Sequence, residues 1–374
     1  MAGCVRFHFR TVKITTVVAV SGVLSGMSLL KRTVQVTGMA AGIAAGLGMT
    51  AVALLRSARA RSMRGKIVVI TGGSRGLGLE LARQFGRAGA HLILAARDEE
   101  ELQRARVILA KEGAAHSAST IEIVVADVTL REDANRIIEA ARLRFGRVDV
   151  LINNAGVIHV GPFVSQPEDA FEDAMATNFF GALYTVQAVV EEMRERGEGK
   201  IVNIASIGGK VAVPHLLPYV ASKFALVGFS EGLHAELAAD GVQVTTVCPG
   251  PIRSGSHVQA KFSGRRQQEY RWFSAGATTP LVSIAVRRAA AQIFRAVVAG
   301  EAEITLTPQA WLAARVVGIA PGVAQHLAGV ANRTMLPKPA TQAVTCGGEL
   351  RQPSLKLVKA WSDHLQTANN QKPE

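Results

Sequence analysis

Cysteine is scarce: Cys4, Cys248 and Cys346 are scattered over 374 residues with no C-x-x-C pair. That pattern excludes a disulfide framework and a cysteine zinc site, and it suits a reducing compartment; no metal is expected. Aromatic residues make up only 5% of the chain, too few for the interleaved stacking platforms that hold single-stranded nucleic acid. Acidic residues are also in deficit, 29 Asp and Glu against 42 Lys and Arg, for a formal net charge of +13. Such a surplus implies anionic partners: nucleic acid, a phosphorylated cofactor or membrane lipid. No nucleic-acid motif accompanies it, and much of the basicity flanks apolar segments, so nucleic acid is not an expected partner. Internal repeats are missing as well.

What the amino terminus has in abundance is uncharged apolar sequence. Ile14 to Leu30 is almost wholly apolar or small, Lys31-Arg32 interrupt it, and Thr33 to Leu55 is a second uncharged run. The second run is long enough to cross a hydrocarbon core of ~30 Å as a helix, whereas the first is marginal. Gly38, Gly42 and Gly46 recur every fourth residue, as do Gly22 and Gly26, a spacing that lets helices approach closely. Arg56, Arg59, Arg61, Arg64 and Lys66 follow with no acid among them, which by the positive-inside tendency puts the downstream domain in the cytoplasm. Residues 1–60 are therefore expected to anchor the chain in a membrane, as one transmembrane helix or a hairpin of two.

From Lys66 onward, short β-rich runs alternate with helical stretches, the pattern of a parallel sheet doubly wound with helices. About seven strands are expected: Ile67–Ile70, His91–Ala95, Ile121–Ala126, Val148–Ile152, Lys200–Ala205, Val242–Val247 and Glu303–Leu306. Most are continuous apolar runs, as strands covered on both faces should be. Helices are expected at Leu77–Arg87, Glu99–Lys111 and Arg131–Phe145, with Gly89 and Gly146 where helix ends favour positive φ. The stretch from Gly250 to Thr279 is too long for an ordinary connection and reads as a lid or binding loop. Trp272 and Phe273 either line that lid or pack it down. Residues 61–306 are thus expected to form the main α/β domain. Residues 307–336 are an apolar, helix-like extension broken at Pro321-Gly322, suited to the cleft, a membrane surface or a subunit interface. Residues 337–374 have the composition of a disordered polar tail.

After the first strand comes "TGGSRGLG", Thr71 to Gly78, with its wide glycine gap first and its narrow gap second. A glycine turn between a strand and a helix lets backbone N–H groups approach phosphate oxygens at the positive end of the helix dipole. Further along stand "ADV" with Asp127, "NNAG" at Asn153–Gly156, "TNFFG" with Asn178, "NIAS" ending in Ser206, "YVASK" with Tyr219 and Lys223, and "PGPIRS" at Pro249–Ser254. This ordered set resembles the short-chain dehydrogenase/reductase family of NAD(P)-dependent oxidoreductases, over roughly Lys66 to Leu306, and implies a Rossmann-type fold. One departure is Ser254, where the family carries threonine; the hydroxyl is kept.

The resemblance implies that Asn178, Ser206, Tyr219 and Lys223 are catalytic. It places the cofactor against Thr71, Gly72, Ser74, Arg75, Gly76, Leu77 and Gly78 of the glycine loop. Arg97, Asp127 and Val128 follow at the adenosine end, then Asn154, Ala155 and Gly156. Tyr219, Lys223, Pro249, Gly250, Ile252 and Ser254 stand at the nicotinamide end. Tyr219 and Lys223 lie one helical turn apart and face the same way. A free phenol titrates near pH 10, and a neighbouring ammonium is expected to lower that value towards the range of a general acid or base. Ser206 would bond the substrate oxygen as negative charge develops. Where NAD users place an acid at the end of the second strand, "LAARD" has Ala96 and then Arg97, while Arg75 sits in the glycine loop. Two guanidinium groups suit a 2′-phosphate, which favours NADP(H) over NAD. Asp98 is one place too late to replace the missing acid and caps the next helix.

Val213, Leu216 and Leu217 precede the catalytic tyrosine and border the cleft. With an anchored domain they point to a lipophilic alcohol, ketone or aldehyde. His215 in the same loop either touches substrate or is exposed. The competing reading is a membrane-tethered NADP-binding sensor or scaffold without turnover. Family members are commonly dimers or tetramers, so a homo-oligomer is expected on that ground alone.

Overall fold

Strand β1 (Ile67–Thr71) is the run Ile-Val-Val-Ile-Thr, and every residue of it is buried, as befits a strand sandwiched between helical layers. The computed structural model describes residues 63–114, 120–280, 282–340, 344–350 and 369–370. All belong to one unit, Arg59–Glu374. After β1 come β2 (His91–Ala96), β3 (Ile121–Val125), β4 (Val150–Asn153), β5 (Gly199–Ile204), β6 (Val242–Pro249) and β7 (Glu303–Leu306). Among the described residues these seven form a parallel sheet in the order β7-β6-β5-β4-β1-β2-β3. The expected strands are recovered with ends displaced by at most two residues.

Helices α1 (Gly76–Arg87), α2 (Glu99–Lys111), α3 (Arg131–Phe145), α4 (Glu168–Met175), α5 (Gly181–Arg196), α6 (Leu217–Leu237), α7 (Arg266–Thr278) and α8 (Val286–Ala299) follow in turn. Helices α1 and α8 cover one face, where Phe85 and Phe294 meet edge to face at 4.9 Å. Helices α3 and α5 cover the other, burying Ile137, Ile138, Val186 and Val189 against the sheet. Asp98 caps α2, its carboxylate accepting from the Glu101 amide at 2.9 Å, and Gly146 ends α3 at φ +87°.

The strand order reverses between β1 and β4, and there the carboxyl ends of adjacent parallel strands open a crevice. Thr71 at the end of β1 and Asn154 just beyond β4 become neighbours, although the sequence holds them far apart. This crevice positions the site.

Gly250 to Thr279 is more regular than a loop. It holds a short strand (Lys261–Phe262), parallel to His159–Val160, and then α7. The reason is a satellite core in which Phe262, Tyr270, Trp272 and Phe273 gather around Val160 and Ala260. Helices α9 (Pro308–Ile319) and α10 (Pro321–Met335) form the extension, broken at Pro321 as expected. Within the polar tail, Thr345–Cys346 pairs antiparallel with Lys261–Phe262, and Asn369 and Asn370 contact the glycine loop. The apolar runs 14–30 and 33–55 lie outside the described residues, among which no helix is long and apolar enough to cross a membrane.

Candidate active site

The loop after β1 is shaped by its glycines. Gly72 and Gly76 take φ +62° and +56°, values that L side chains rarely adopt. Gly78 is needed for a different reason: a Cβ there would sit 2.1 Å from the Gly72 carbonyl oxygen and 2.7 Å from Asn154 Nδ2. Asn154 donates from Nδ2 to the carbonyls of Thr71 and Gly72, both at 3.0 Å. The Thr71 hydroxyl accepts from the amides of Asn154 and Ala155 at 3.0 and 3.1 Å. Thr71 and Gly78 therefore lie beneath the loop and shape it rather than facing the crevice. Under β4, Asn153, Asn203, Thr185 and Ser230 form a buried hydrogen-bond chain that ties the sheet to its helices.

Above the loop lies a cavity of about 590 Å³. It runs from Arg97, Asp127 and Val128 at one end, past Ser74, Arg75, Gly76 and Leu77, to Asn154, Ala155 and Gly156 at the other. These residues fit an extended dinucleotide: the cradle is closed to a Cβ at Gly78 and opens at the N-terminus of α1. The two arginines are less free than the sequence suggests. Arg75 pairs with Glu101 at 2.5 Å, and the Ser74 hydroxyl donates to the same carboxylate at 3.0 Å. Arg97 is 67% exposed and 3.9 Å from Asp127. The Gly76 amide donates to the Asn369 carbonyl at 2.8 Å, and Asn370 Nδ2 donates to the carbonyls of Ser74 and Glu101. Glu101 and the two asparagines are partners that no motif announced.

Beyond Gly156 the wall changes. Ser206 follows β5, and Tyr219 and Lys223 project from α6, with Lys223 Nζ 5.8 Å from the centre of the Tyr219 ring. Lys223 Nζ donates to the Ile204 carbonyl at 2.8 Å. Asn178 sits in a π-helical turn, Ala176–Phe180, between α4 and α5, a local irregularity frequent at functional sites. Its Nδ2 donates to the Val157 carbonyl and the Ser222 hydroxyl, and its Oδ1 accepts from the Val157 amide. A Cβ on Gly156 would lie 2.9 Å from Asn178 Oδ1 and 3.7 Å from Lys223 Nζ, so these three positions converge. Asn178 itself is buried behind Gly156 rather than on the cavity wall.

The electrostatics differ from the expectation for the phenol. Burial pushes Tyr219 up from its ordinary value, a hydrogen bond with Ser206 pulling the other way. The same burial pushes Lys223 down to about 8. Desolvation penalises each charged form, and at Tyr219 it outweighs the Ser206 hydrogen bond, with no lowering from the Lys223 ammonium among the causes. A stability prediction follows. Above pH 8 the folded chain has released the Lys223 proton that the unfolded chain keeps up to its ordinary 10.5, so stability rises with pH. The buried Cys248 thiol, pushed up from 9.0 to about 12, acts oppositely above pH 9. Between pH 8 and 9, urea unfolding should show about 1 kcal/mol of stabilisation that Lys223→Met removes.

A second cavity of about 340 Å³ adjoins the first across Leu77, Asn154, Gly156 and Ser254. Ser206, Tyr219 and Lys223 stand at its polar end, with Pro249, Gly250 and Ile252 beside them; Val213, Leu216, Trp272 and Phe273 make it apolar. Trp272 and Phe273 thus both line the cleft and pack α7 down. His215 is neither exposed nor on the wall. It is buried at φ +63°, and its Nδ1 lies 2.9 and 3.0 Å from the carboxylate oxygens of Glu269, which also accepts from Trp272 Nε1 at 2.6 Å. The signal missed was a lone acid, Glu269, in an otherwise basic and aromatic stretch.

Fold and site together define a nicotinamide-dependent oxidoreductase, and comparison with known proteins gives the family. Residues 66–264 match the model of the short chain dehydrogenase family, and the chain belongs to it. It is 33% identical over 265 residues to a dehydrogenase/reductase SDR family protein 7-like of Anopheles gambiae, covering 70% of this chain and 82% of that protein. It is 38% identical over 191 residues to a ketoacyl reductase, so named only provisionally, of Streptomyces coelicolor, covering 50% of this chain and 71% of the relative. A crystal structure of an actinorhodin polyketide ketoreductase variant with NADPH aligns with TM-score 0.56 and 29% identity, over 65% of this chain and 95% of its own. The protein is an NAD(P)-dependent oxidoreductase acting on CH–OH or C=O groups of a small-molecule substrate.

Proposed function

We propose that the enzyme uses NADP(H) to interconvert a lipophilic alcohol with its ketone or aldehyde, Tyr219 serving as general acid and base. We further propose that residues 1–60 hold it at a membrane with the catalytic domain facing the cytoplasm. The observation that carries the chemistry is the second cavity, mostly apolar, in which Ser206, Tyr219 and Lys223 stand with Asn154, Ser254 and Ser256 as the polar part of the lining. When bound, the nicotinamide supplies or accepts a hydride. Every other part belongs to the chain. Gly72 and the amino end of α1 would receive the pyrophosphate once the Asn369 carbonyl gives up the Gly76 amide. A phenol raised by burial is protonated at neutral pH, which suits Tyr219 to donate to a carbonyl oxygen during reduction. Ser206 steadies the same oxygen, and Lys223, with Asn178 behind it, holds the ribose side and feeds protons towards the phenol.

NADP(H) is favoured by Arg97, mostly exposed at the adenosine end of the cleft, and by Arg75, which a 2′-phosphate would share with Glu101. The NADPH-bound ketoreductase points the same way. The test compares NADPH with NADH across aliphatic, steroid, retinoid and acyl carbonyls. Arg97→Ala should raise KM for NADPH by about 10–100-fold and leave that for NADH nearly unchanged, since a charge-assisted phosphate contact contributes about 1.5–3 kcal/mol. Equal sensitivity to both cofactors, or turnover limited to small hydrophilic sugars, removes the respective half of the reading.

A further inference from the structure

The C-terminal helices α9 and α10 are built inside out. Ala310 is the only buried residue of α9, and α10 has none. Half-buried positions are taken by small or short side chains: Ala313, Ala314 and Val317 in α9, and Ala324, Ala328 and Ala331 in α10. The large apolar side chains point the other way. Trp311, Leu312, Val316 and Ile319 recur at helical spacing along α9, and Val323, Leu327 and Val330 along α10; all are between 40 and 85% exposed. Of the eighteen large hydrophobic residues exposed among the described residues, eight fall within 311–335. Such concentration marks an interaction surface, because single exposed side chains are ordinary and contiguous stripes are not.

The charges around the stripes select the partner. No Asp or Glu occurs between Glu303 and Glu349, whereas Arg315, Arg333 and Lys338 do. Arg315 lies over the Trp311 ring at 4.9 Å, an indole and a guanidinium side by side at the edge of an apolar face. A second copy docking by the same patch would set these cations against one another with no carboxylate in the patch to receive them. An anionic bilayer receives both parts: acyl chains take the stripes and headgroups take the cations.

We infer that α9 and α10 form a membrane-surface docking face, seated in the headgroup region of an anionic bilayer. This face stands on the two helices alone, so it holds or fails separately from the proposed anchor in residues 1–60. The experiment uses the full chain in vesicles of phosphatidylcholine with and without phosphatidylglycerol, doped with a lipid bearing an acyl-chain diazirine. After illumination, adducts are mapped by peptide mass spectrometry. Adducts on Trp311–Met335, increased by phosphatidylglycerol, support the docking face. The double variant Leu312→Glu/Leu327→Glu should lower their yield by about tenfold, and the triple variant Arg315→Gln/Arg333→Gln/Lys338→Gln should abolish the dependence on phosphatidylglycerol. Both variants change exposed positions, so the helices remain folded by circular dichroism. Adducts on residues 14–55 report on the anchor separately. Helices α9 and α10 free of adducts, or covered instead by a second copy in concentration-dependent crosslinks, would overturn the inference.

Discussion

Tyr219→Phe should lower the rate of hydride transfer by about 10²–10⁴-fold while NADPH binds within about twofold of the parent. The substitution removes one oxygen and keeps the ring, which packs beside Gly208 near the dinucleotide cleft. Lost with it are the only proton on this ring able to reach a substrate oxygen and the bond shared with Ser206. Lys223, the neighbouring titratable group, is pushed down to about 8 and is already bonded to the Ile204 carbonyl. An ammonium so engaged is a poor replacement donor at the substrate end of the cavity. Single-turnover oxidation of bound NADPH, followed by absorbance, separates the chemical step from binding. Retained turnover would move the acid to another group. Loss of NADPH binding would instead show that the hydroxyl serves the cofactor.

Gly78→Ala should be nearly as damaging by a different route. The added methyl would begin 2.1 Å from the Gly72 carbonyl oxygen, and its second neighbour, Asn154 Nδ2, is fixed by bonds to two loop carbonyls. Neither can swing aside as a flexible side chain would. Overpacking of this kind costs about 1–3 kcal/mol in ordinary cores. Here the strain must open the turn that is proposed to receive the pyrophosphate. NADPH binding should weaken by about 100-fold, close to 3 kcal/mol, with a loss of folding stability beside it. Titration calorimetry and urea unfolding read the two effects. Gly232→Ala is the control, because a Cβ in that part of α6 meets nothing within 4 Å and helix propensity favours alanine. Equal effects at both positions would mean that the glycine loop tolerates a side chain.

Much of this was open to inspection along the chain. The apolar run Ile67–Ile70 read as a strand covered on both faces, and the glycine spacing after it marked a turn. Tyr219 and Lys223 share a face because α-helical periodicity puts residues four apart together, and Asp98 announced its cap. His215 was less legible. Its fate depends on Glu269, 54 positions away, and a lone loop histidine carries no mark of a partner that distant. Trp272 likewise could not be divided between lining and packing until Phe262 and Val160 were brought beneath it.

The order of apolar runs and turns by itself determined the seven strands and the helices following the first three of them, because local periodicity and backbone freedom are properties of adjacent residues; the residues at the crevice were implied by the family resemblance. The sign of the shifts at Tyr219 and Lys223, the capture of Arg75 by Glu101, and the outward face of α9 and α10 were decided only in three dimensions. Desolvation depends on everything that excludes water from a group, and exposure depends on what fails to cover a side chain. Neither is written in the residue itself.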